Sequence, residues 1–228
     1  MKWISKNKNL IIEEVAKRII ALVKQKPNAV LGLATGSTMI NLYQLLCIYG
    51  KTIDWSKIKT FNLDEYENLN SDSKLSYQHY MQIHLFSHLN INPKNTYFPV
   101  ASNYQKYDYF IKKSGGIDLQ LLGVGVNGHI AFNEPGSLVN SKTRIITLSK
   151  STIEVNTKLI KPGETLPTRA YTMGIASILA AKKIYCLAFG EAKQIALKQL
   201  RLGSITNEFP ITYLLKHPDT TIFTDLTF

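Results

Sequence analysis

Apolar residues fall at positions 11, 12, 15, 16, 19, 20 and 23, a helical spacing that predicts an amphipathic helix over Leu10–Val23. Pro27-Asn28 ends it, and the apolar run Ala29–Ala34 predicts a short buried strand. Ser37 or Thr38 is placed to cap a helix reaching about Tyr49. Lys59–Leu63 reads as a second strand. Ser76–Leu89 predicts a helix before the Asn92-Pro93 turn, and Tyr104–Lys113 another, closed by Gly115-Gly116. Asp118–Val124, Arg144–Leu148, Ala170–Met173, Lys183–Phe189 and Thr220–Phe223 read as strands, and Ala176–Ala181, Glu191–Leu202 and Thr212–Lys216 as helices.

Strand and helix alternate almost throughout. The expected fold is α/β, a mainly parallel open sheet with helices on both faces. Nothing resembles a linker, so residues 1–228 are expected to form a single domain. In open parallel sheets, ligands sit beyond the carboxyl ends of the strands, so the loops there carry the information.

Composition narrows the choice of chemistry. The chain has 228 residues, 45% of them hydrophobic, enough for one sizeable core. Its net charge of +11 favours anionic partners in general. The lysines are scattered from Lys2 to Lys216, only four residues are arginine, and no nucleic-acid module accompanies the charge. No nucleic-acid partner is expected. Cys47 and Cys186 lie in apolar runs and read as buried free thiols. The opening MKWISKNKNL lacks the apolar core of a signal peptide, and no run of about 18 apolar residues offers a membrane span. The expected compartment is the cytoplasm.

Four strand-end loops carry candidate chemistry. In Ala34-Thr35-Gly36-Ser37-Thr38, a glycine, hydroxyls and the free N–H groups of a helix start suit an anion, and equally an ordinary capped turn. The Gly-Lys-Ser/Thr ending of a Walker loop is missing. In Phe61–Tyr66, the adjacent Asp64 and Glu65 suit one proton carrier and one structural partner, or a solvated acidic turn. Gly123–His129 contains G-x-G-x-x-G, including Gly125. Pro135 and Gly136 do not suit a long helix from Gly128, and no acid about 20 residues on awaits a ribose. The glycines suit close approach to a small ligand, with His129 and Glu134 as a candidate acid–base pair. In Gly190–Lys193, Lys193 stands near a helix start, where its charge opposes the dipole unless an anion compensates. His84 and His88 have the spacing of some zinc pairs, but no third ligand is evident and no metal is expected.

These loops together resemble the glucosamine-6-phosphate deaminases. The matching pieces are LATGST at 33–38, FNLDEY at 61–66, SYQHYM at 76–81, GVGVNGHIAFNEPGS at 123–137, TRI at 143–145 and GEAK at 190–193. The resemblance spans nearly the whole chain. It implies a Rossmann-like sheet of the deaminase and phosphogluconolactonase type. It also implies a hydrolytic, amino-sugar-degrading activity: glucosamine 6-phosphate and water become fructose 6-phosphate and ammonia. By the same resemblance Asp64 moves a proton from C2 to C1, and His129 opens the sugar ring, oriented by Asn127 and Glu134. Thr35, Gly36, Ser37, Thr38, Gly125, Lys158 and Lys193 would contact the substrate, most of them at its phosphate. Lys158 stands where the family often has arginine, keeping the charge but losing the bidentate fork. The reaction involves no redox change, so no cofactor is expected.

Three positions depart from the family pattern. Asn127 replaces a frequent aspartate, which removes a charge beside His129. Met39 replaces a proline that would stiffen the start of the helix. Ile146 replaces a basic residue of the allosteric members, whose C-terminal extension this sequence does not show; Ser137 and Arg144 are kept. The expectation is a monomer or small homo-oligomer without activation by N-acetylglucosamine 6-phosphate.

Overall fold

A computed structural model describes residues 1–148, 153 and 167–228. Strand β1 (Lys2–Ser5) leads into helix α1 (Lys8–Gln25). The Asn7 side chain caps α1 by accepting from Asn9 N–H. Its buried stripe is the one the periodicity marks: Ile11, Ile12, Val15, Ala16, Ile19, Ile20 and Val23. Each large aliphatic side chain so buried contributes roughly 1.5–3 kcal/mol relative to exposure.

Strand β2 (Val30–Leu33) and helix α2 (Ser37–Gly50) follow, then β3 (Lys59–Asn62) and β4 (Asp64–Tyr66). Helix α3 spans Tyr77–His84, and β5 is the two-residue strand Thr96–Tyr97. Helix α4 (Tyr107–Lys113) precedes β6 (Leu119–Gly123), β7 (Arg144–Thr147) and β8 (Arg169–Thr172). Helix α5 (Ile175–Leu179), β9 (Ile184–Ala188), helix α6 (Gln194–Arg201) and β10 (Thr220–Thr224) follow, with a 3-10 helix at Pro210–Lys216.

Seven strands form one sheet in the order β1-β10-β9-β6-β2-β3-β5. Every pairing in it is parallel. The edge strand β1 is held by β10, with Lys2 opposite Thr221 and Ser5 opposite Thr224. Side chains alternate between the two faces. Thr60 and Leu31 meet Ile19 of α1 and Leu46 of α2 on one face. Phe61, one residue on, meets Tyr107 of α4 on the other, ring centroids 5.5 Å apart. Both faces are therefore covered, as the near-continuous apolar strands require.

A second sheet, β4-β8-β7, is antiparallel. Only Leu63 separates it from the main sheet. Leu63 N–H donates to Leu33 O (3.1 Å), and Leu63 O accepts from Met173 N–H (2.7 Å). Asp64 is thus the first residue past a junction of two sheets. That differs from the expected strand-end loop at 61–66, because residues 170–172 pair with it across the chain.

Helix starts also differ in detail. Gly36, not Ser37 or Thr38, is the N-cap of α2, and no side chain caps it. Its φ of 103° lies in the left-handed region open to glycine. The hydroxyls of Ser37 and Thr38 therefore belong to the first helical turn. Helix α3 is shorter than expected: Leu85 leaves helical geometry to be buried, and a 3-10 turn follows at Phe86–His88.

Candidate active site

In the strand order, β2 is flanked by β3 on one side and β6 on the other, so the connections leave it in opposite directions. Such a switch point opens a crevice beyond the strand ends. A cavity of about 380 Å³ lies there. The loop after β2 lines it with Thr35, Gly36, Ser37 and Thr38; the end of β3 lines it with Leu63 and Asp64. The loop after β6 adds Gly125, Asn127 and His129, and the turn after β9 adds Lys193. Segments separated by more than one hundred residues converge because parallel strands end on the same side.

The two adjacent carboxylates take different tasks. Glu65 is fully enclosed, and its oxygens accept from Tyr66 N–H (2.9 Å), Ser76 Oγ–H (2.8 Å), Tyr77 N–H (3.0 Å) and Gln78 N–H (2.9 Å). It satisfies the open donors at the start of α3. Asp64 is 7% exposed and faces the cavity, and its carboxyl has no hydrogen bond among the described residues. Burial, with the neighbouring Glu65 carboxylate second, pushes the Asp64 carboxyl up to about 8. The rings of Tyr66, Tyr77 and Phe132 close one side, with centroids 5.0, 5.7 and 6.1 Å apart.

His129 is held through an amide. Asn127 Nδ2–H donates to Glu134 Oε2 at 2.8 Å. An ionised carboxylate only accepts, so the amide nitrogen must face Glu134 and the amide oxygen His129. The His129 Nδ1 lies 2.7 Å from Asn127 Oδ1 and 3.6 Å from Glu134 Oε2. Both neighbours are acceptors, so Nδ1 carries the proton and donates to Asn127, and in the neutral ring Nε2 keeps its lone pair. Gly125 makes room for the ring: a Cβ there would lie 2.2 Å from His129 Cε1. The segment between His129 and Glu134 is fixed by buried Asn133, whose Nδ2–H groups donate to Ile130 O (2.9 Å) and Met173 O (2.8 Å). Arg144, kept half-buried, donates to Asn133 Oδ1 at 2.9 Å.

At the other end of the cavity, Lys193 immediately precedes α6 and is half-buried. Desolvation lowers its ammonium from the ordinary lysine range. A cation so placed opposes the helix dipole, and an anion between it and the Gly36–Thr38 turn compensates both.

The cavity thus brings together Thr35, Gly36, Ser37, Thr38, Asp64, Gly125, Asn127, His129 and Lys193. Glu134 stands behind Asn127. Lys158 lies outside the described residues. Neither expected zinc-spaced histidine lines the cavity: His84 packs on Tyr80 with centroids 4.4 Å apart, and His88 Nε2 lies 2.9 Å from Ile83 O. Sequence reasoning gave no task to Tyr77, Asn133 or Tyr80. Tyr77 and Tyr80 lie in SYQHYM and Asn133 in FNEP, so those motifs were the available signal.

A parallel sheet whose strand ends bring a helix start, a buried acid and an oriented histidine around one cavity has the architecture of an α/β enzyme. The sequence model of the glucosamine-6-phosphate isomerases/6-phosphogluconolactonase family matches residues 7–223, and the chain belongs to that family. A glucosamine-6-phosphate deaminase of Mycoplasma mycoides is 46% identical over 224 residues, covering 96% of this chain and 92% of that protein. One of Clostridium novyi is 45% identical over 234 residues, covering 99% and 97%. The structure of a monomeric glucosamine-6-phosphate deaminase superposes with a TM-score of 0.93 at 35% identity, covering 98% and 97% of the two chains. A 6-phosphogluconolactonase of Thermotoga maritima, 19% identical with a TM-score of 0.75, shares the fold.

Proposed function

We propose that this chain deaminates glucosamine 6-phosphate with water, giving fructose 6-phosphate and ammonia. The observation that carries this reading is the meeting of a buried acid whose carboxyl has no hydrogen bond among the described residues, a histidine with its Nε2 lone pair free in the neutral ring, and a helix-start loop around one cavity. The family and its 41–46% identical relatives support it.

The phosphate is the remote handle. Thr35, Gly36, Ser37, Thr38 and Lys193 hold it, with Lys158 as a further cation, and its binding energy places the reacting carbons. Gly125 lets the sugar approach the backbone beside His129. An aldose cannot isomerise while cyclic. His129 Nε2 takes the anomeric hydroxyl proton and returns it to the ring oxygen, opening the ring. Asn127 and Glu134 hold the imidazole in the required tautomer throughout. The Asp64 carboxylate then removes the C2 proton and delivers it to C1, and the electron pairs shift to give the imine of fructose 6-phosphate. Water adds to that carbon and ammonia leaves. Oxidation at C2 balances reduction at C1, so no external electron acceptor is needed.

Residues 1–228 act as one unit in this reading, a monomer or small homo-oligomer. Two free thiols accord with the cytoplasm. Among the described residues, no helix is long and apolar enough to cross a membrane. The test is to incubate the protein with glucosamine 6-phosphate and measure ammonia and fructose 6-phosphate together. Equimolar release by the wild type, lost in Asp64→Asn, is expected. No release by well-folded protein overturns the reading.

A further inference from the structure

We propose that Tyr80 is a positioning residue: its hydroxyl makes α3 a strut that fixes the anion loop at a set place relative to Asp64. The proposal rests on the reading of Ala34–Thr38 as the phosphate site.

The strut is anchored at its start by the residue next to Asp64. Three of the groups bound by Glu65, the Ser76 hydroxyl and the N–H groups of Tyr77 and Gln78, belong to the start of α3. Less than one turn later, Tyr80 Oη–H donates to the Gly36 carbonyl at 2.8 Å. One short, rigid helix therefore touches the neighbour of the acid with its first turn and the anion loop with its next. A helix of eight residues has a fixed rise, so the spacing of these two contacts is fixed as well.

The bond also determines what the loop presents. An anion is attracted by N–H groups and repelled by carbonyl oxygens. The Gly36 carbonyl accepts from Met39 N–H at 3.0 Å and from Tyr80. The Ala34 carbonyl accepts from the buried Tyr43 hydroxyl. None of these three donors' residues lines the cavity. Both carbonyls are therefore engaged behind the loop, while Thr35, Gly36, Ser37 and Thr38 front it. The Tyr43 and Tyr80 rings meet edge to face, with centroids 6.5 Å apart, so the two hydroxyls act as a braced pair. Burial pushes the Tyr80 phenol above its ordinary range, which keeps it a donor at any working pH.

Tyr80→Phe deletes the hydroxyl and keeps the ring against Tyr43 and His84. Inorganic phosphate is the probe, titrated against the full chain by calorimetry. The variant is expected to bind phosphate about three- to tenfold more weakly, the range commanded by one hydrogen bond. KM for glucosamine 6-phosphate is expected to rise by a similar factor, with kcat moving less and the melting temperature staying within about 2 °C. Phosphate affinity equal to wild type overturns the strut while leaving the phosphate site intact. Weaker binding accompanied by a drop in melting temperature of more than about 5 °C assigns Tyr80 to general stability, and also overturns it. A wild type that binds no phosphate overturns the reading of the loop, and the strut with it.

Discussion

A carboxyl group that leaves water without gaining a hydrogen bond holds its proton more tightly. Asp64 is in that state, pushed up to about 8. A base must be ionised to act, so kcat/KM for the free enzyme is expected to rise with pH through about 8. The same proton affects folding. The native form binds it more tightly than the unfolded chain, so its stabilising contribution is complete below the ordinary carboxylate range. That contribution is lost as pH rises through about 8. Asp64→Asn carries no such titration. Its melting temperature is expected to exceed that of the wild type by more at pH 9 than at pH 5, with deamination reduced by roughly 10²–10⁴-fold. Scanning calorimetry across that range checks the first, and steady-state assay the second.

Beside His129 the sign is reversed. Asn127→Asp replaces a neutral acceptor at 2.7 Å by a carboxylate and loses the donor that Glu134 now receives. Two acids close to one imidazole favour its protonated form. The fraction of wild-type kcat/KM that Asn127→Asp keeps is expected to be smaller at acid than at alkaline pH, checked by steady-state assay of both proteins across the range. A constant fraction across pH would mean that the new carboxyl takes up a proton itself.

At the scale of elements, the start of α3 is held by one side chain from outside the helix. Glu65→Ala leaves Tyr77 N–H and the Ser76 hydroxyl without their acceptor and Gln78 N–H with Ser76 Oγ alone. A loss of about 2–4 kcal/mol in urea unfolding is expected, the sum of an N-cap and a charged hydrogen bond. The acid limb of the kcat/KM profile is also expected to move to lower pH, because Glu65 no longer opposes ionisation of Asp64.

What the sequence made legible follows from range. Helix α1 and strands β2, β6 and β9 are readable because their apolar patterns are local. The anion loop and Gly123–Glu134 are readable because glycines, hydroxyls and a histidine stand at strand ends. Strand β4 is not: Asp64, Glu65 and Tyr66 have no strand pattern of their own and become a strand only against residues 170–172. Strand β1, four residues long, likewise depends on β10. The division of labour between Asp64 and Glu65 was open for the same reason, since it depends on where α3 begins.

Across the whole molecule, the candidate site and a structural anchor occupy opposite ends of the sheet. The cavity lies beyond the carboxyl ends of the strands. At the amino ends Asp118, just before β6, receives Lys26 Nζ (2.8 Å), Lys182 Nζ (2.7 Å) and Val30 N–H (2.9 Å). It ties the end of α1, the start of β2 and the approach to β9. Desolvation raises its pKa, but Lys182, Lys26 and the Val30 N–H outweigh it and hold the carboxyl below the ordinary range. Its contribution is present above the unfolded carboxylate pKa and is lost as pH falls through the depressed folded value. Asp118→Asn is expected to lower the melting temperature by about 3–6 °C at pH 7, with kcat/KM unchanged. The deficit is expected to close in acid, where the wild type loses the same charge.

The pairing of β1 with β10 orders events on the ribosome. Ser5 Oγ–H donates to Leu226 O, 221 residues away. Strand β1 therefore stays without β10, its strand neighbour among the described residues, until residues 220–224 have been made. Until then β9, apolar along IYCLA, keeps one long edge open, a surface on which nascent chains can pair with one another. Slow translation between β9 and β10 prolongs that exposure.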